Sequence, residues 1–161
     1  MFFGLLGRAD EIEKGAALPS VTVADQDGQA VDLAAAGGSG WTLVYFYPKA
    51  DTPGCTKQAC SLRDSFATLS EKGVRVFGVS GDDVAAQKAF QQKYKLPFQL
   101  LADTDKKVMD AFGVPHKIGF ASRQAYLFRD GELVWRDLSA STAEQAADVL
   151  AAISDADTGA S

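Results

Sequence analysis

Apolar runs and amphipathic stretches alternate along the chain, and their order sets the elements. Trp41-Thr42-Leu43-Val44-Tyr45-Phe46-Tyr47 is almost continuously apolar, the pattern of a central strand covered on both faces. Residues 74–80 form a second such run and residues 98–101 a shorter third. Between the first two, Ala59, Leu62, Phe66 and Leu69 share one face of a helix. Thr52 can cap that helix, Pro53 can begin it and Gly73 can stop it. Asp82 or Asp83 opens a helix through about Tyr94, and Thr104 or Asp105 a shorter one ending near Phe112-Gly113. Thr142 caps a last helix to about Ile153, and residues 154–161 read as a frayed tail. Turn signals at Asp25-Gln26-Asp27-Gly28 and Asp130-Gly131 each lie between strand-like runs and predict two hairpins.

Alternating β and α elements followed by a hairpin and a helix predict an α/β fold, with a central mixed sheet flanked by helices and an N-terminal β-hairpin. The order βαβ…ββα is that of a thioredoxin-like core. The crossovers should be right-handed. No repeat or long linker interrupts the 161 residues, which read as a single domain. Met1-Phe2-Phe3-Gly4-Leu5-Leu6 is too short for a signal peptide and runs into Arg8, Asp10, Glu11 and Glu13. Residues 1–13 are therefore expected to be an N-terminal extension, its start one helical turn packed on the body. No run reaches the roughly 18–20 apolar residues of a membrane-spanning helix.

Composition adds exclusions. A formal net charge of -5 without a basic cluster argues against nonspecific nucleic-acid binding. The chain has only two cysteines, too few for a stapling framework. A reducing compartment, by default the cytoplasm, and a chemically active pair fit better.

Both cysteines fall in Pro48-Lys49-Ala50-Asp51-Thr52-Pro53-Gly54-Cys55-Thr56-Lys57-Gln58-Ala59-Cys60. A free thiol has a pKa of about 8.5 and is little ionised at neutral pH. The first turn of a helix offers unpaired N–H groups and the positive dipole end, which favour a thiolate. Thr52 can place its hydroxyl beside the sulfur, Pro48 and Pro53 restrict the turn, Pro48 can wall off solvent, and Gly54 lets a small substrate approach the backbone. Such a thiolate suits attack on an O–O or S–S bond. Cys60 is the natural second thiol. In an intact helix, positions i and i+5 have Cα atoms on the order of 8–9 Å apart, beyond the roughly 7 Å limit of a disulfide. Either no disulfide forms, or the first helical turns unwind; Pro53 and Gly54 at the start favour local unwinding, and a redox-dependent fold change confined to roughly residues 52–64 is expected.

The pattern Pro48-x-x-x-Thr52-x-x-Cys55 after an apolar strand resembles the peroxiredoxin active-site motif, and the string from Tyr45 to Cys60 resembles the bacterioferritin comigratory protein (PrxQ) subgroup. The resemblance runs from about Lys14 to Ile153. It implies a thiol peroxidase, with Cys55 as peroxidatic nucleophile, Cys60 as resolving thiol, Thr52 and Pro48 shaping the pocket, and Arg123 beside the thiolate at the start of a late strand. It further implies a hydroperoxide substrate, an intramolecular Cys55–Cys60 disulfide, a thioredoxin-like dithiol reductant, no metal or organic cofactor, and a monomer. Leu18-Pro19 and Val21 depart from the family's usual residues before and in the first strand, Gln124 replaces a small hydroxyl residue, and the loop from Gly113 to Ser122 looks short.

Other readings stay in view. Either cysteine could be a buried small hydrophobe, Thr52 a plain N-cap, and Arg123 a strand-edge charge. Arg63, two helical turns from Cys55, is distant for thiolate contact. Lys49, Asp51 and Lys57 read as solvated; Gln58, one turn beyond Cys55, can line the pocket but reads more readily as a surface amide. His116, the only histidine, shows no orienting partner for a Cys–His pair. Two cysteines and one remote histidine do not fill a zinc site, and Cys-x4-Cys lacks the further cysteines of an iron–sulfur protein. A thiol–disulfide oxidoreductase would need Cys-x-x-Cys. A peroxide-sensing switch or holdase needs the same thiolate as a peroxidase.

Overall fold

The computed structural model describes residues 12–157. Its elements run β1 (Thr22–Asp25), β2 (Ala30–Asp32), α1 (Leu33–Ala36), β3 (Trp41–Phe46), α2 (Pro53–Asp64), α3 (Phe66–Glu71), β4 (Val74–Ser80), α4 (Val84–Tyr94), β5 (Gln99–Ala102), α5 (Lys107–Phe112), β6 (His116–Lys117), β7 (Phe120–Ala121), β8 (Gln124–Arg129), β9 (Glu132–Asp137) and α6 (Gln145–Asp157). A seven-stranded mixed sheet has the order β2-β1-β5-β4-β3-β8-β9. β3, β4 and β5 are parallel, joined through α2/α3 and α4. β8 runs antiparallel to β3 with Gln124 opposite Phe46. The N-terminal hairpin joins this sheet, because β1 pairs antiparallel with β5.

Every residue of β3 is buried, because the alternation of side chains sends Leu43, Tyr45 and Tyr47 to one face and Val44 and Phe46 to the other. On the first face they meet Leu62, Leu69, Phe90, Val149 and Ile153 from α2, α3, α4 and α6. On the second, Val44 and Phe46 meet Leu33, Val108, Met109 and Phe112 from α1 and α5. At roughly 25 cal/mol per Å² of apolar area, these two layers are the main stabilising term. The β8–β9 turn follows the sequence signal, with Asp130 and Gly131 at φ 50° and 80°, as a type I′ hairpin requires.

Several boundaries differ from the sequence expectation. The helix after Thr52 does not run unbroken to Gly73; it bends at Ser65 (φ -102°, ψ 8°). Asp64 and Ser65 are weak helix formers, and the bend turns Phe66 toward Phe98, 6.3 Å between ring centroids. The N-cap position of α5 is Lys106, not Thr104 or Asp105, and its side chain does not cap; the Asp103 carboxylate instead accepts from the N–H groups of Val108 and Met109. Burial raises the pKa of that carboxyl, and the two N–H bonds partly offset the rise. Ser141, not Thr142, accepts a bond at the entry to the last helix, from Glu144 N–H. That helix continues to Asp157, so residues 154–157 are helical where a frayed tail was expected. Residues 158–161 and residues 1–11 of the expected extension lie outside the described residues. Ile12 is tied to the body by N–H donation to Phe112 O and by Arg136 on its own carbonyl.

Candidate active site

The site forms where β3 ends. Tyr47 N–H continues the parallel ladder to Val79 O. Pro48 has no N–H to continue it. The chain then turns sharply through Asp51, whose φ of 58° is one that aspartate tolerates better than most residues. Three anchors hold the turn. Asp82 accepts from Ala50 N–H at 2.8 Å. Asp51 accepts from Lys93 Nζ at 3.0 Å and from Tyr94 Oη at 2.9 Å. Thr52 Oγ1 donates to Lys49 O at 2.7 Å.

Thr52 does occupy the N-cap position, in extended backbone, but its side chain does not cap the helix. Its hydroxyl proton goes to the turn instead. Asp51 is paired, although the sequence reads it as simply solvated, and its carboxyl is held below the ordinary range by the Lys93 and Tyr94 bonds.

Cys55 lies in the first turn of α2 and is 1% exposed. Arg123, in the residue before β8, reaches it across the sheet edge: Nη2 donates to Sγ at 3.5 Å. The other terminal nitrogen, Nη1, donates to Gln58 Oε1 at 2.6 Å. Gln58 is fully buried, so it is no surface amide. One helical turn beyond Cys55 is where a side chain on the same face meets whatever faces the sulfur. Its Nε2 in turn donates to Gln145 Oε1 at 2.5 Å. Gly54 completes the fit. A Cβ there would stand 3.0 Å from Arg123 Nη2 and 3.6 Å from Thr142 Cγ2. Its role in the structure is to make room for the guanidinium.

Cys60 is half-buried in the same unbroken helix, and both thiols are free. Tyr45 lies beneath them. Burial, Tyr47 and the two sulfurs together raise its hydroxyl well above the ordinary tyrosine range. That hydroxyl has no hydrogen-bond partner among the described residues.

The structure thus brings Cys55, Arg123, Gly54 and Gln58 together. Thr52 and Pro48 shape the adjoining turn. Arg63 is elsewhere: it donates to Tyr94 O and pairs with Asp64. His116, on the small β6–β7 hairpin where a loop is expected, does have a partner, Asp110 of α5 at 3.0 Å. A concavity of about 640 Å³ between β9 and α6 includes Lys14, Arg129, Glu132 and Trp135. None of its lining residues belongs to the Cys55 cluster.

A thioredoxin-like sheet with a buried cysteine at a helix start, faced by an arginine, is the arrangement expected of a peroxiredoxin. Residues 14–136 match the AhpC/TSA family, and the chain belongs to it. It is similar to chloroplastic peroxiredoxin Q of Oryza sativa subsp. japonica, 48% identical over 119 residues, covering 73% of this chain and 54% of the relative. The chain therefore spans about half the length of the curated relatives it matches. Among solved structures it resembles peroxidoxin BcpB of Mycobacterium tuberculosis, with a TM-score of 0.83, 28% identity and coverage of 89% of this chain and 97% of the other. It also resembles the bacterioferritin comigratory protein of Xanthomonas campestris, studied for alkyl peroxide reduction, with a TM-score of 0.79, 28% identity and coverage of 89% and 96%.

Proposed function

We propose that this protein is a thiol peroxidase that reduces hydrogen peroxide and organic hydroperoxides. The observation that carries the reading is the Arg123 Nη2–Cys55 Sγ contact of 3.5 Å at a helix start. A cationic donor beside the sulfur stabilises both a thiolate and the charge that builds on the peroxide oxygens during attack. The near-complete burial of Cys55 favours a slim reactive end such as O–O–H, with any alkyl group left outside. The alkyl peroxide reduction described for the Xanthomonas relative supports the same substrate class.

The Cys55 thiolate attacks the distal oxygen. The S–O bond forms, the O–O bond breaks, and the other oxygen takes a proton and leaves as water or an alcohol. Cys55 becomes a sulfenic acid. Arg123 and the N–H groups of the helix start hold the oxygens. Thr52 Oγ1, its proton given to Lys49 O, still offers lone pairs to the O–H of the hydroperoxide. Pro48 restricts the turn and shields it.

The start of α2 then unwinds. Cys60 sulfur displaces the sulfenic oxygen, which leaves as water, and the Cys55–Cys60 disulfide forms. Thioredoxin or a similar dithiol protein returns both thiols by exchange. The protein acts as a monomer in a reducing, cytoplasmic setting. Peroxide consumption with a thioredoxin system tests this. Many turnovers per chain are expected. Consumption of one equivalent would instead make the protein a redox switch, and consumption of none would end the reading.

A further inference from the structure

The proposed mechanism uses Arg123 but leaves open what aims it. A guanidinium on a long side chain has considerable rotamer freedom, and placing it costs entropy unless its other nitrogens are held. Here Arg123 Nη1 is held by Gln58 (2.6 Å). Gln58, however, lies on α2, the segment whose unwinding the chemistry needs. Something outside α2 must fix the glutamine while the helix is intact.

That group is Gln145, the first residue of α6. Gln58 and Gln145 are both 0% exposed. The donors all point one way: Arg123 N–H to Gln58 oxygen, Gln58 N–H to Gln145 oxygen. A chain of this polarity strengthens itself, because the cation polarises the first amide and makes its N–H a better donor to the second. Gln145 Nε2 has no partner among the described residues. A buried amide with an unmet donor is unfavourable for folding alone, whereas an apolar side chain would suit the contact between α2 and α6. α6 itself is immobilised by Ala146, Val149 and Ile153 in the core beneath the sheet face. The segment leading into it also grips the site: Ala140 N–H donates to Arg123 O, and Ser61 Oγ donates to Ala143 O. Gln145 lies beyond the residues matched to the family, 14–136.

We infer that Gln145 is a positioning residue that aims the Arg123 guanidinium at Cys55 through the amide of Gln58, so that the fixed helix α6 sets the reactivity of a thiol on the mobile helix α2. The inference rests on the thiol-peroxidase reading for its kinetic consequence, but not for its structural one. Gln145→Leu and Gln145→Met keep the volume and remove the acceptor. Gln145→Glu keeps an acceptor oxygen.

Two readouts separate the claims: the second-order rate of Cys55 oxidation by hydrogen peroxide in single turnover, followed by tryptophan fluorescence, and the ¹H–¹⁵N signals of the Arg123 guanidinium. With thermal unfolding showing each variant folded, Leu or Met is expected to slow oxidation about tenfold, equivalent to about 1.4 kcal/mol of activation free energy. The restrained guanidinium signals should be lost with it. Glu should recover much of both. An unchanged oxidation rate in a folded Leu or Met variant would overturn the inference, as would slowed oxidation with unchanged guanidinium signals. If the wild-type protein does not react with peroxide yet its guanidinium signals depend on Gln145, the peroxidase reading fails and the positioning role stands.

Discussion

Arg123 and Cys55, separated by 68 positions in sequence, meet at 3.5 Å because β8 lies antiparallel beside β3. Gln124 pairs with Phe46, so the residue just before β8 stands over the turn just after β3. Sheet register, rather than any local motif, delivers the cation to the sulfur. Arg123→Ala should therefore slow oxidation of Cys55 by peroxide by about 10²–10³-fold, the usual cost of removing one preorganised donor. Folding should suffer less, by about 1–3 kcal/mol, the order of cost of leaving the buried Gln58 oxygen unmet. Stopped-flow fluorescence gives the first quantity and urea unfolding the second. A normal oxidation rate would remove Arg123 from the mechanism.

Gly54 gives a sharper test of the same contact without touching any charge. A methyl group there would sit 3.0 Å from Arg123 Nη2, tighter than ordinary van der Waals contact. The guanidinium is the flexible end of a side chain, so the fold can yield at small cost while the aim at Cys55 is lost. Gly54→Ala is expected to fold with a near-wild-type melting temperature and to react with peroxide about tenfold more slowly. If it reacts at full rate, the geometry of the guanidinium is not rate-determining.

Both cysteines lie within the unbroken helix α2, at a Cα separation on the order of 8–9 Å for ideal geometry. A disulfide thus requires that hydrogen bonds of this helix break, along with the Gln58–Gln145 and Ser61–Ala143 links that tie it to α6. In the oxidised protein, amide protection from Lys57 to Leu62 should collapse while that of β3 and β4 is kept. Hydrogen exchange with mass spectrometry, on reduced and peroxide-treated samples, reads this directly. Cys60→Ala should stop at one sulfenic acid per chain, retain the helix and recycle slowly with thioredoxin. Helical protection surviving in a disulfide-bonded sample would contradict the unwinding step.

How much of this could be read from the chain depended on how local each signal was. The strand at residues 41–47, the Asp130-Gly131 turn and the cysteine at the helix start are short-range patterns, and the structure follows them. Arg123 came from family resemblance; periodicity alone gives no reason to bring it to Cys55. For Gln58 the sequence leaves pocket lining and a surface amide both open, and favours the surface because its partners Arg123 and Gln145 arrive from distant elements. Of the two caps the sequence offers for α4, Asp83 takes the role; Asp82 instead braces Ala50 N–H, a partner too distant in sequence to be read locally. The bend at Ser65 was hidden because Leu62, Phe66 and Leu69 keep helical spacing across it.

The Asp51–Lys93 pair supplies a pH signature for the turn that precedes α2. The Lys93 and Tyr94 bonds lower the Asp51 pKa from its ordinary 3.8, and Asp51 first, with Tyr94 adding to it, raises that of Lys93 from 10.5. For a carboxyl with a lowered folded pKa, the stabilising contribution is present above the unfolded value and lost as pH falls through the folded one. For the lysine, with a raised value, it is present below the unfolded value and lost as pH rises through the folded one. The anchor is consequently whole across the neutral range and fails at both extremes. Both groups are exposed, so the effect on global stability should be small. The local test is a carbon-detected NMR titration. Asp51 should titrate below pH 3.8 in the wild type and move up toward the ordinary value in Lys93→Ala. Asp51→Asn preserves the residue's tolerance of the left-handed conformation while removing the charge. Its difference from wild type in amide exchange at the first turn of α2 should be steady near neutrality and shrink below about pH 4. If Asp51 titrates identically with and without Lys93, the ion pair does not brace the turn, and the Ala50–Asp82 and Thr52–Lys49 bonds hold it without that pair.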